Sequence, residues 1–404
     1  MSLTEPALLI LLAVLTVGVF AWNVVAWPRS AGPGLPAILR RIARQLAILL
    51  LALLTFGVAL NDQYDWYANW TDLTTLFSAG APEGTIVSAG VAAGAAARAV
   101  VPRTSSPSDG FPGQPSQIRS GTSGALDLAA DPGPNGQYRQ FTVSGPASGY
   151  TGTVMVWFPA AYTNAAERHR RFPVLETFHG IPGTPQQWAS NMRLGETVAA
   201  AAAAGTVADA VVVLPNVAPD ALDTECVDGT GRLPKMETWI SQDVPNWVAE
   251  HLRVQTGRGS WATLGLSAGA YCAAMVTMLH PDRFSAAISL GGYYQPSFDK
   301  SVAQFAPTGA AAVRYDLVRL ARTNPPPVAL WLQTSRADPI SYATTQELLN
   351  SARPPISITA DVLQNAGHRL AVWAPLVPVT LRWLGQSLPG FRPRNAPVAA
   401  TPGG

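Results

Sequence analysis

Two long apolar runs open the chain, and short apolar runs separated by polar turns fill its second half. The first run, ALLILLAVLTVGVFAWNVVAW from Ala7 to Trp27, contains no charged residue; the second, LAILLLALLTFGVAL from Leu46 to Leu60, is shorter. A bilayer core takes about 20 residues of apolar helix. The first run therefore spans as it stands, and the second spans if Ile42 and Ala43 extend it past Arg44. Residues 1–62 are predicted to form a transmembrane hairpin. A cleaved signal peptide fits less well, because MSLTEP has no basic residue and a second apolar run follows at once.

Polar residues around these runs give an orientation. Arg29, Arg40, Arg41 and Arg44 fall in the predicted loop between the spans, whereas Glu5, Asp62 and Asp65 flank them on the other side. The excess of basic residues places the loop in the cytoplasm and everything after Asp62 outside. The aromatic stretch YDWYANW, Tyr64 to Trp70, suits the outer interface, and it equally suits an ordinary loop with buried rings. From Ser78 to Pro134, Gly, Ala, Ser and Pro dominate with few large apolar side chains to bury, so residues 63–134 are predicted to be an interfacial segment followed by a tether.

Past the tether, residues 135–390 alternate strand-like and helix-like patterns. YRQFTV and TVMVWFP are predicted as an antiparallel pair. RFPVLETFHG, DAVVVLPNV, WATLGLS, SAAISLGG, VALWLQT and ISITADVL follow as six more strands. Helices are predicted over QQWASNMRLGETVAAAAAAG, over METWISQDVPNWVAEHL with Pro245 as a kink or an N-terminal break, over AGAYCAAMVTMLH, and over LAVWAPLVPVTLRWLG. Strands written as unbroken Val, Ile and Leu runs are buried on both faces, which points to a mostly parallel sheet covered by helices. Eight strands with an antiparallel start give an α/β-hydrolase fold. Residues 391–404 are predicted to be a disordered tail.

Composition sharpens this picture in one respect. The chain is 404 residues long with 48% hydrophobic and 13% charged residues, apolar for a soluble protein, and its net charge is only +2. Arginines are scattered and lysine occurs only at Lys235 and Lys300, so no basic stripe for nucleic acid is present. Membrane lipid is the partner the composition implies; oligomeric state is not legible.

Candidate chemistry centres on WATLGLSAGAYCAAM. Gly265, Ser267 and Gly269 form GxSxG at a predicted strand-to-helix junction, the context in which this motif is a nucleophile elbow. Small flanking residues let strand and helix approach, and the turn presents the serine Oγ near a helix N-terminus that favours developing negative charge. Serine needs a base, and the base an orienting carboxylate. Of the five histidines, only His368 follows the last predicted strand and precedes the last helix. His169 lies among arginines, and His251 and His280 end helices. Asp338 lies between Ser267 and His368, just after a strand, whereas Asp299, Asp316 and Asp361 fall in a loop, a helix and a strand. The Ala268 N–H is expected to serve an oxyanion hole, with Gly180 or Ile181 of FHGIPG as the second donor.

HGIPG, ETWISQDVPNWVAEHL, GLSAGAY, HPDRF with the following LGG, SRADP and AGH resemble the putative-esterase family of α/β-hydrolases, which includes esterase D, feruloyl esterases and mycolyltransferases. The resemblance covers Tyr138 to Leu388 and implies Ser267 as nucleophile, Asp338 as acid and His368 as base. Mycolyltransferases generally carry glutamate where Asp338 stands, and their elbow lacks a second glycine such as Gly269.

Two cysteines remain, Cys226 in DALDTECVDGTG and Cys272 on the predicted helix behind Ser267. An even pair outside the membrane favours a disulfide over two buried thiols. Asp220, Asp223, Glu225 and Asp228 cluster in the same loop, but their spacing does not match a calcium loop, so no metal and no cofactor are expected. The chain is thus read as a membrane-anchored extracytoplasmic serine esterase or acyltransferase acting on an ester or acyl-lipid substrate. The alternatives are an acyltransferase of the mycolyltransferase type and a non-catalytic envelope scaffold.

Overall fold

The computed structural model describes residues 3, 5–30, 32–75, 84–90, 128–298 and 309–393. Most of the predicted tether, the tail from 394 onward and Asp299 lie outside the described residues. The chain forms two compact units. One comprises Met1–Gly80, Arg336–Pro339 and Gln364–Arg369; the other comprises Ala81–Ser335, Ile340–Leu363 and Leu370–Gly404.

The first unit contains α1 (Pro6–Ala26), α2 (Leu35–Tyr64) and α3 (Trp70–Thr74). At 1.5 Å per residue α1 is about 32 Å long, the thickness of a bilayer core. The most apolar windows of α1 and α2 have mean hydropathies of 2.5 and 2.0 and are almost wholly unburied. Val14, Val17, Leu50 and Phe56 turn most of their large apolar surfaces outward. Both helices are long and apolar enough to cross a membrane. Arg40, Arg41 and Arg44 do not lie in the connecting loop as predicted but on the first turns of α2. Pro36 presets the helical φ at the start, and Leu, Ala and Arg then propagate it. Arg44 lies over the Trp22 ring at 4.7 Å, which keeps its charge near the α1–α2 turn. Asp65, with φ 51°, ends α2 by turning the chain left-handed while its N–H still bonds the Asn61 carbonyl at 2.8 Å.

In the second unit a nine-stranded sheet forms in the order β1-β9-β8-β7-β6-β4-β5-β3-β2. The strands are β1 (Gly84–Ala89), β2 (Gln137–Ser144), β3 (Thr151–Phe158), β4 (Val174–Phe178), β5 (Val211–Pro215), β6 (Trp261–Leu266), β7 (Ala286–Leu290), β8 (Ala329–Ser335) and β9 (Ser357–Leu363). Strands β4 to β9 run parallel, and every residue of β4 through β8 is buried. The helices are α4 (Leu194–Ala203), α5 (Met236–Thr238), α6 (Val244–His251), α7 (Ala268–Leu279), α8 (Ala310–Arg314), α9 (Leu317–Thr323), α10 (Tyr342–Ser351), α11 (Leu370–Trp373) and α12 (Val377–Ser387).

Three local expectations are corrected. The ninth strand, β1, comes from GTIVSA inside the stretch predicted to be tether, and it pairs antiparallel with β9 from Ile358 to Leu363. Its Thr, Ile and Val suit a strand, and without it β9 would be an unpaired edge. The helix predicted from Gln186 is broken at Arg193, whose φ of 48° separates one wide turn from α4. The closing helix is likewise split into α11 and α12 where Pro375 and Pro378 remove N–H donors. Pro245 is the second residue of α6, directly after the wide turn Trp239–Asp243 that joins α6 to α5 without a break.

Candidate active site

Ser267 stands between β6 and α7 with φ 55° and ψ −124°, a backbone conformation that side chains rarely adopt. Its own N–H bonds the Leu290 carbonyl at the end of β7, and its carbonyl accepts from Ala270 at 2.9 Å to begin α7. This turn is possible only because its neighbours are small. A Cβ at Gly265 would strike the Gly269 carbonyl, and one at Gly269 would strike the carbonyls of Phe178 and His179. Gly265 thus lets α7 fold back on β6, and Gly269 lets α7 touch the end of β4. Ala268, at the first position of the 12-residue α7, has its N–H among the unbonded donors of a helix start.

The loop after β4 lies against the elbow: a Cβ on Gly180 would come within 3.3 Å of Ser267 Cβ. The Gly180 N–H is donated to Gln187 Oε1 at 2.8 Å, and Gln187 Nε2 donates to the Pro182 carbonyl at 3.0 Å. Gly180 is therefore already occupied as a donor. Gly180 and Ile181 are the two sequence candidates for the loop's oxyanion donor, and this bond engages the first of them. His179 fixes the start of the same loop. Its Nε2 accepts from the Val217 N–H at 3.1 Å, so Nδ1 carries the hydrogen and donates to the Gly180 carbonyl at 2.9 Å. Burial lowers its pKa, which keeps the ring neutral in this structural role.

Cys226 and Cys272 are disulfide-bonded, with Cα atoms 5.5 Å apart. The bridge ties the loop after β5 to α7, four residues beyond Ala268. The acidic residues of that loop are engaged separately. Asp228 accepts from the Thr238 N–H and hydroxyl at 2.8 and 2.6 Å, and Glu225 is buried and bonded by the Tyr293 hydroxyl. Burial, then the charge of Asp223, pushes the Glu225 carboxyl well above the usual carboxylate range.

In the first unit, the structure brings His368 and Asp338 together: Nδ1 and Oδ2 are 3.0 Å apart, and both side chains are nearly inaccessible. An ionised carboxylate can only accept, so Nδ1 carries the hydrogen, and in the neutral ring Nε2 is the nitrogen that bears the lone pair. Asp338 is the third residue after β8 and His368 the fifth after β9. The other candidates have different work. Asp316 caps α9 by accepting from Arg319 N–H at 2.8 Å, and Asp361 lies within β9. His169 is exposed, His251 bonds the Trp247 carbonyl at 2.8 Å, and His280 bonds Glu237 at 2.8 Å.

Sequence reasoning missed three groups. Gln187 braces the loop after β4, a role no motif announces. Glu237 is buried and accepts from His280, Arg314 and Tyr315. Burial raises its carboxyl, but those bonds outweigh it and hold the pKa at about 2. Asp72, buried beside the histidine loop, receives Gly367 N–H and the Arg369 guanidinium. Asn69, whose side chain accepts the Asp72 N–H at 2.9 Å, was the one legible sign that a helix starts there.

A serine on a strained strand-to-helix turn, at the end of a buried parallel strand, defines a serine hydrolase of the α/β-hydrolase class. The family described as Putative esterase matches residues 147–369, and the chain belongs to it; it is a serine esterase-type enzyme. In solved structures the fold is similar to a ferulic acid esterase, with TM-score 0.52 and 17% identity over 61% of this chain and 96% of that one. It is similar to an S-formylglutathione hydrolase from Agrobacterium tumefaciens, with TM-score 0.53 and 17% identity over 63% and 97%. A fluorophosphonate-binding serine hydrolase of Staphylococcus aureus gives TM-score 0.50 and 15% identity over 62% and 98%. An uncharacterised protein of Corynebacterium glutamicum is 27% identical over 128 residues, which span 31% of this chain and 30% of that protein.

Proposed function

We propose that the protein is a membrane-anchored, extracytoplasmic serine esterase with Ser267 as nucleophile, His368 as general base and Asp338 as the carboxylate that orients it. Ser267 Oγ attacks an ester carbonyl and His368 Nε2 takes its proton. The N–H groups of Ala268 and Ile181 hold the oxyanion, and His368 returns the proton to the departing alcohol. Water then releases the acid by the same route. The observation that carries this reading is the bond between His368 Nδ1 and Asp338, which makes Nε2 the accepting atom of the neutral ring. The strained φ of Ser267 at the start of α7 and the family match support it.

Hydrolysis is preferred to transfer because the similar structures are named as a ferulic acid esterase and an S-formylglutathione hydrolase, whose names describe cleavage of an ester and a thioester. The substrate class proposed is accordingly an acyl ester. The unburied apolar surfaces of α1 and α2 support the anchor, and Arg40, Arg41 and Arg44 near their connection support a cytoplasmic turn with the catalytic domain outside.

A fluorophosphonate probe tests the chemistry. Wild-type chain is expected to be labelled, Ser267→Ala not at all, and Asp338→Asn is expected to lose about 10³-fold or more in kcat. Unlabelled wild type, or equal labelling of Ser267→Ala, would defeat the reading. A reporter active only outside the cytoplasm, fused after residue 393, is expected to be active, and silence would reverse the orientation.

A further inference from the structure

The end of α2 and the short segment behind it hold the loop that carries His368 from several sides. Asn61 fixes the segment: its side chain donates to the Tyr67 carbonyl at 2.9 Å and accepts from the Tyr67 N–H at 2.8 Å. The Asp65 carbonyl, on the left-handed residue that ends α2, accepts the His368 N–H itself at 2.8 Å. The Trp66 carbonyl accepts Arg369 Nη1 at 2.7 Å, and the Tyr67 ring lies 4.3 Å below the same guanidinium. Gly367 is needed for this approach, since a Cβ there would strike the Trp66 carbonyl.

Asp72 closes the arrangement. Its carboxylate is only 1% exposed, and Oδ2 accepts the Gly367 N–H at 2.8 Å, the Ala68 N–H at 3.0 Å and Arg369 Nη1 at 2.7 Å, while Oδ1 accepts Arg369 Nη2 at 2.7 Å. The residues immediately before and after His368 are thus bonded to one buried carboxylate, and the residue's own amide to a neighbouring carbonyl. Charge-assisted, bidentate bonds of this kind are stronger and more directional than neutral ones. Their burial leaves Asp72 no alternative partner in water.

We infer that Asp72 is a positioning residue for His368, so that the membrane-proximal segment is a working part of the esterase and more than a leash. The inference rests on His368 being the base. Misplacing a catalytic group by about 1 Å costs on the order of 10²-fold in rate, and without Asp72 both flanks of His368 lose their shared carboxylate partner. A chain cut between residues 75 and 84 would keep the whole sheet, Ser267 and Asp338, yet lose the Asp65, Trp66 and Asp72 acceptors.

The test uses full-length chain in detergent with a chromogenic short-chain ester. Asp72→Ala is expected to lower kcat by about 10- to 100-fold with KM within about threefold. Asp72→Asn, which can still accept the Gly367 N–H, is expected to recover part of that loss. Amide exchange supplies a readout independent of activity: protection at Gly367 and His368 is expected to fall at least tenfold in Asp72→Ala, with β6 and α7 unchanged. Unchanged kcat, unchanged exchange at Gly367 and His368, or loss of protection across α7 as well would each overturn the inference. Wild-type chain inert to esters would instead defeat the proposed function, and exchange would still decide whether the Asp72 contacts hold the loop.

Discussion

A methyl group built on Gly265 would collide with the carbonyl oxygen of Gly269, four residues away on the other side of the elbow. Backbone cannot yield there without moving Ser267 or lifting α7 from β6. Gly265→Ala is expected to lower stability by about 1–3 kcal/mol or more, as overpacking does, and to slow fluorophosphonate labelling. Thermal melting with a labelling time course checks both; wild-type values for the pair would mean that the turn relaxes freely.

Ser267 holds φ at 55°, in territory that favours glycine. Such strain costs about 1–3 kcal/mol, against about 0.5–1 kcal/mol for glycine's extra freedom in the unfolded chain. Both Ser267→Ala and Ser267→Gly remove the hydroxyl, but only glycine relieves the backbone. Ser267→Gly is expected to melt above Ser267→Ala, and the reverse order would refute stored strain at this residue.

Glu176 and Glu237 are both buried, and they respond to pH in opposite directions. The folded-state pKa of Glu237, about 2, lies below its ordinary value of 4.5. Its contribution is therefore complete above pH 4.5 and is lost as pH falls from there toward 2. Glu237→Gln is expected to destabilise the chain at pH 7 and to flatten the loss of stability between pH 4.5 and 3 in denaturant titrations.

Glu176 sits at the centre of β4 with neither carboxyl oxygen hydrogen-bonded among the described residues. Burial raises its pKa well above 4.5, with Arg283 opposing. It favours folding most below pH 4.5 and increasingly less as pH rises toward its folded value. Glu176→Gln is expected to match wild type near pH 4 and to be the more stable chain at pH 8. A variant that melts lower than wild type at pH 8 would reveal a partner for the ionised form.

The Cys226–Cys272 bridge closes a loop of 46 residues. Cross-links of that span add about 2–4 kcal/mol by restricting the unfolded chain. Double replacement by serine is expected to lower the melting temperature and to leave Ser267 labelling detectable at low temperature. Equal melting of reduced and oxidised wild type would remove the bridge from the stability account.

The elements legible in the sequence are those whose signal is local. Unbroken apolar runs gave the parallel strands because burial on both faces leaves no room for polar alternation, and GxSxG at a strand end gave the elbow because only glycines fit beside that backbone. Length and hydropathy gave the two apolar helices. GTIVSA was hidden in a stretch of small residues: six residues become a strand only when an edge such as β9 is there to receive them. The engagement of the Gly180 amide was not legible, because Gln187 reaches it only through the wide turn before α4.

Sequence alone, then, determined eight of the nine strands, the two long apolar helices and the order of serine, aspartate and histidine along the chain, since periodicity and steric demand are written residue by residue. Tertiary structure decided which groups hold one another. Asp72 and Arg369 meet across 297 positions, and Glu237 finds His280, Arg314 and Tyr315, because burial strips their water and leaves each charge only the partner that folding brings within reach.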